Sequence, residues 1–125
     1  TMKADAMQFV VAFIRPLTLG RVVDAVRHLP GFPGMSVMDV RGFGSDEAHT
    51  PRKGERSEVH PFEPILRLEV FCQSADLIAV IEAIRKAAYT GHPGDGKIFA
   101  GPVDVACRIR SGETGVSSLV PSTEL

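Results

Sequence analysis

The chain has 125 residues, 44% of them hydrophobic, and a formal net charge of −1. That length and apolar content fit one compact domain with its own core, not two. The near-neutral balance, with an isoelectric point near 6.4, offers no global field to attract nucleic acid or an anionic membrane, so any anion site must be a local cluster.

No apolar run approaches the roughly 20 residues that cross a bilayer, and no charged, apolar, then small-residue signal pattern is seen. The expectation is a cytoplasmic protein without membrane insertion. Thr1 to Ala6 reads as a loose end, and the fold is predicted to begin at Met7. Gln8 to Ile14 is short, β-branched and aromatic, and apolar on both faces, which predicts a central strand covered on each side. Arg15-Pro16 ends it. Leu19, Val22, Val23, Val26 and Leu29 then recur at three and four residues, giving a first helix with one apolar stripe and Thr18 as its expected cap. His28 ends that helix, where a cation meets the favourable dipole end. After the breakers Pro30 to Gly34, Met35, Val37 and Val40 lead a second strand into Arg41-Gly42-Phe43-Gly44.

Ser45 to Pro61 is polar, mixed in charge and nearly devoid of aliphatic residues. It cannot bury much, so residues 45–61 are predicted to be a long mobile loop at the tip of a hairpin. From Ile65 to Phe71 the alternation sets Arg67 and Glu69 on one face and Leu66, Leu68 and Val70 on the other, a half-buried third strand. Ser74 is the expected cap of a second helix lined by Leu77, Ile78, Ile81, Ile84 and Ala88, with Gly91 as its stop. Cys72 and Cys107 lie in apolar segments without a CxxC pattern and read as buried reduced thiols.

Thr90-Gly-His-Pro-Gly-Asp-Gly-Lys97 is the stretch that points to chemistry. Its three glycines allow the backbone to approach a ligand and expose N–H groups, and Lys97 supplies a mobile cation. A fourth strand follows from Ile98 to Ile109, interrupted at Gly101-Pro102. On such a strand Arg108 and Arg110, two apart, project from one face and suit a shared anion. The element order strand, helix, strand, strand, helix, strand is the split βαβ arrangement, an α+β ferredoxin-like sheet with two helices on one face. The first strand is apolar on its second face as well, so that face is expected to pack against copies of the chain. The domain is placed at 7–115, and 116–125, rich in Ser, Thr and Pro, reads as a flexible tail.

Taken together, Ile14-Arg-Pro16, Gly34-Met-Ser-Val37, Val40-Arg-Gly-Phe-Gly44, Thr90-Gly91, Gly94-Asp-Gly-Lys-Ile-Phe99 and Arg108-Ile-Arg-Ser-Gly-Glu113 resemble the PII signal-transduction family, small trimeric nucleotide-binding regulators. The similarity covers most of residues 8 to 115. It implies a homotrimer whose sheets face inward and whose inter-subunit clefts hold AMP, ADP or ATP. By position, Gly42, Phe43, Gly44, Gly94, Asp95, Gly96 and Lys97 would hold the nucleotide from one chain. Ser36, Glu69, Val70, Phe71, Arg108 and Arg110 would line the cleft from the next. Backbone groups from Glu69 to Phe71 would read the adenine edge.

The chain also departs from that family. An Arg-Gln pair, whose glutamine helps ligate magnesium and 2-oxoglutarate, is replaced by Ser45 and Asp46, and that carboxylate repels a dicarboxylate unless a metal intervenes. Glu58 stands at the position of the tyrosine that some members modify, Ile65 replaces a loop-base lysine, and His92-Pro93 replaces Lys-Ile. The pattern suits a divergent PII-like regulator, with bicarbonate as a second effector and a transporter or carbon or nitrogen metabolism protein as target. Magnesium is left open. A different reading makes Asp46, Glu47, His49 and His60 a metal site on a ferredoxin-like trimer, although their spacing fits no strict ligand template. An enzyme is not expected, because no nucleophile, base and orienting group occur together.

Overall fold

The computed structural model describes residues 6–44 and 62–120. Four strands and two helices follow in the predicted order: β1 (Met7–Ile14), α1 (Leu19–Arg27), β2 (Ser36–Gly42), β3 (Glu63–Gln73), α2 (Leu77–Ala88) and β4 (Gly96–Pro102). The strands form one sheet in the order β2-β3-β1-β4, and every neighbouring pair is antiparallel. This is the ferredoxin-like topology, with the apolar β1 at the centre as its composition requires.

Strand alternation separates two faces. Val10, Ala12 and Ile14 of β1 and Leu66, Leu68, Val70 and Cys72 of β3 point toward the helices and form the core with Val22, Val26, Val80 and Ile84. The opposite face carries no element among the described residues, and on it Phe9, Val11 and Phe13 stay only half-buried. Phe71 and Phe99 remain about half exposed there, at 46% and 52%. The Arg67 guanidinium lies 5.6 Å from the centre of the Phe13 ring, and Phe13 meets Phe99 edge to face at 6.3 Å. The face is thus aromatic, with Arg67 and Glu69 paired on it at 3.1 Å.

Several local expectations are corrected. Each helix is entered through a 3₁₀ turn, Pro16–Thr18 or Ser74–Asp76: Thr18 stands at the N-cap position of the first helix but its side chain makes no capping hydrogen bond, and the N-cap position of the second is Asp76, not Ser74. Thr18 is wholly buried and its hydroxyl donates back to the Arg15 carbonyl at 2.9 Å, while the Ser74 hydroxyl accepts from Gln8. The second helix ends where Tyr89 turns extended, before Gly91. Cys72 is buried as expected, whereas Cys107 is exposed.

The fourth strand is the largest correction. It stops at Pro102, and the chain then forms an isolated bridge between Cys107 and Thr114 around a turn. Arg108 and Arg110 therefore do not share a strand face. Gly101-Pro102 is the end of the strand, since a proline donates no ladder hydrogen bond. Residues 116–120 of the expected tail begin in a short helix, Gly115–Ser118. The polar loop assigned to 45–61 lies outside the described residues.

Candidate functional site

β4 begins at the same end of the sheet where β1 and β2 finish, because Ile14 pairs with both Leu66 and Gly96 and Leu66 pairs with Asp39. Gly42 to Gly44 and Gly94 to Lys97 consequently sit at one end, on opposite edges. Two strands separate them, so with strands about 4.8 Å apart the edges are on the order of 14 Å from each other. At the loop foot Phe43 and Phe62 meet at a tilt of 40° with ring centres 5.3 Å apart. Ile65 lies across Gly42 so closely that a Cβ there would be 2.1 Å from its Cδ1. The base is therefore apolar, where the resemblance has a lysine.

The glycine segment is a built loop. Gly94 and Gly96 adopt φ of +92° and +116°, which a side chain strongly disfavours. A Cβ on Gly96 would also lie 1.8 Å from the Phe13 carbonyl oxygen. Asp95 turns inward. Its Oδ1 accepts from Arg15 Nε at 3.0 Å and from the Thr90 hydroxyl. Its Oδ2 accepts from the N–H groups of Thr90 at 2.7 Å and Gly91 at 2.9 Å. The Thr90 hydroxyl, helped by the Thr90 N–H, Arg15 and Gly91, holds this carboxyl well below the usual carboxylate range. Lys97 is exposed, on the open face of the sheet edge. A cleft of about 300 Å³ runs beside it between α2 and β4, with Ile14, Ile84 and Ile98 at its floor and Arg85 and Tyr89 at its rim.

The other predicted residues divide. Ser36, Glu69 and Phe71 lie on the open face, since Ser36 pairs with Glu69 and Glu69 with Val11. The Val70 side chain points into the core and is fully buried, so only its backbone is left for a ligand. Pairing of β3 with β2 ends at Glu69 although pairing with β1 continues to Gln73. From Val70 onward, that edge of β3 has no β2 partner. Arg108 is held by its own segment: Nε pairs with Glu113 at 3.0 Å, and Nη2 donates to the carbonyls of Ser118 and Val120. It and Arg110 follow β4, whose final residues sit at the opposite end from the glycine loop, where Val103 N–H donates to the Met7 carbonyl. The inward turn of Asp95 and the anchoring of Arg108 were not legible in the sequence. The Arg15 contact had one signal, a cation placed just past the central strand.

No group of three or more His, Cys, Asp or Glu residues suited to a metal occurs among the described residues, and the suggested ligands Asp46, Glu47, His49 and His60 lie outside them. No described helix is long and apolar enough to cross a membrane.

The comparisons agree with this fold. The family described as "Nitrogen regulatory protein P-II" matches residues 7–113. A relative of that name from Rhizobium meliloti (strain 1021) is 40% identical over 113 residues, covering 90% of this chain and all of the relative. One from Azospirillum brasilense is 39% identical, over 87% of this chain and 96% of its own. Among solved structures, Arabidopsis thaliana PII bound to citrate superimposes with a TM-score of 0.74 at 32% identity, covering 91% of this chain and 92% of that one. Proteins of this kind are regulators that signal, not enzymes. The chain belongs to the P-II nitrogen regulatory protein family.

Proposed function

We propose that the protein is a nucleotide-responsive regulator whose adenine nucleotide, AMP, ADP or ATP, sits between neighbouring chains of a homotrimer. The reading rests chiefly on one observation. The glycine loop with Lys97 and the segment carrying Arg108 and Arg110 leave β4 at opposite ends, so a second chain is needed to bring the cations together. Gly42 to Gly44 with Gly94, Gly96 and Lys97 then contribute from one chain, and Ser36, Glu69, Phe71, Arg108 and Arg110 from the next. The unpaired edge at Val70 and Phe71 suits the hydrogen-bonding edge of a base. Asp95 serves by shaping the loop.

Residues 45–61 are the proposed partner-contacting segment, switched by phosphate number and a second effector. The target is proposed to be a transporter or a carbon or nitrogen metabolism protein. Bicarbonate fits the second effector better than 2-oxoglutarate, because Asp46 and the apolar Ile65 at the loop base disfavour a dicarboxylate. Calorimetry with AMP, ADP and ATP on the parent and on Lys97→Ala tests the reading. Loss of one lysine-phosphate contact is expected to weaken binding on the order of tenfold. No adenylate binding by the parent ends it. Zinc titration of a His49→Ala, His60→Ala double variant, with 2-oxoglutarate and bicarbonate as further titrants, separates the metal and effector alternatives.

A further inference from the structure

We propose that Arg15 is a positioning residue: with Thr90 it clamps Asp95 and so fixes the backbone of Gly94 to Lys97 in the shape that receives an anion. The identity of that anion rests on the nucleotide reading above; the clamp does not.

Arg15 follows Ile14, and Ile14 pairs with Gly96, so the guanidinium emerges beside the glycine loop at the end of the sheet's central strand. Its planar fork spans two acceptors, Asp95 Oδ1 at 3.0 Å and the Pro93 carbonyl. A Cβ at Gly94 would lie 3.2 Å from Arg15 Nη2, so the guanidinium packs directly on the loop backbone. The Asp95 carboxylate takes four donors in all, two on each oxygen. Those fill its acceptor positions. It is therefore not available to a ligand, and its charge is turned away from the phosphates that the loop would hold. The Thr90 hydroxyl accepts the His92 N–H at 3.3 Å, which ties the middle of the loop to the same centre.

Two of the loop's three left-handed glycines, Gly94 and Gly96, flank Asp95, so the clamp sits at the pivot of the loop. Ordering this backbone before the ligand arrives removes a conformational cost from binding. A lysine at position 15 keeps the charge but offers no planar fork, and cannot hold the carboxylate and the carbonyl with the same geometry.

The test compares the parent with Arg15→Gln, Arg15→Lys and Asp95→Asn by two measurements: amide hydrogen exchange across 91–97 in the ligand-free protein, and ATP affinity by calorimetry. Arg15→Gln and Asp95→Asn are expected to speed exchange in that segment and to weaken ATP binding, each by about tenfold for a lost charge-assisted bond. Arg15→Lys should fall between them and the parent in both. A lower melting temperature with parent-like exchange in 91–97 would mean a purely structural contact and overturn the inference, as would parent-like affinity in Arg15→Gln. If Arg15→Gln does not fold, Asp95→Asn decides by the same two measurements. Should the parent bind no adenylate, the nucleotide reading fails, and the exchange measurement still decides the clamp.

Discussion

At Asp95, read from the sequence as a ligand contact, both carboxylate oxygens accept from groups of the same chain, Arg15, Thr90 and Gly91. Its carboxyl is held below the usual range, so its contribution to stability is present above the ordinary carboxylate value near 4 and is lost as pH falls from there toward the depressed value. Asp95→Asn should remove that slope: urea melts of the parent should weaken from about pH 4 downward, while the variant should change less. The side chain is partly exposed, at 22%, so solvent screening keeps the difference modest. The cysteines give a second expectation at this scale. Burial, and then the nearby Asp76 charge, push the Cys72 thiol up, so it stays protonated and inaccessible, whereas Cys107 is exposed. A thiol reagent should titrate one group per folded chain and two after unfolding.

At the level of elements, the strands were legible because their alternation and β-branched content are local signals, and β1 was placed centrally from its two apolar faces alone. The failures share a cause. Thr18 and Ser74 had the chemistry of caps, but each is taken up by a 3₁₀ turn that no local pattern announces. Arg108 and Arg110 had strand spacing, but Pro102 ended the ladder and Glu113 with the backbone carbonyls of Ser117, Ser118 and Val120 captured Arg108. Hydrogen bonding outside the expected element decided both cases, from the Thr18 hydroxyl to the Arg15 carbonyl and from Arg108 to Glu113 and the segment after it. The glycine that matters most for β4 can be tested against one that does not. Gly96→Ala combines a left-handed backbone with a 1.8 Å approach to the Phe13 carbonyl, whereas Gly112→Ala, at φ +77°, meets nothing within 4 Å. Gly112→Ala should cost about 1–2 kcal/mol in a denaturant melt. Gly96→Ala should cost more and release the Phe13–Lys97 pairing. Leu68→Ala, in the core centre, should cost about 2–5 kcal/mol.

For the whole molecule, the deciding feature is the open sheet face. Phe9, Val11, Phe13, Phe71 and Phe99 make it apolar across three strands, and a large exposed apolar patch is the kind of surface that suits an interface. A cyclic trimer of chains of 13.5 kDa would cover it. Val11 stands between Glu69 and Phe99 on that face, away from the helix-side core, so Val11→Asp should leave each chain folded while placing a carboxylate where copies would meet. Sedimentation equilibrium should find the parent at three chain masses and Val11→Asp at one, with unchanged helical circular dichroism. Nucleotide binding should disappear with assembly, because within one chain the glycine loop and the arginine segment leave β4 at opposite ends. A monomeric Val11→Asp that bound ATP as tightly as the parent would place the whole site within a single chain and remove the reason for the trimer.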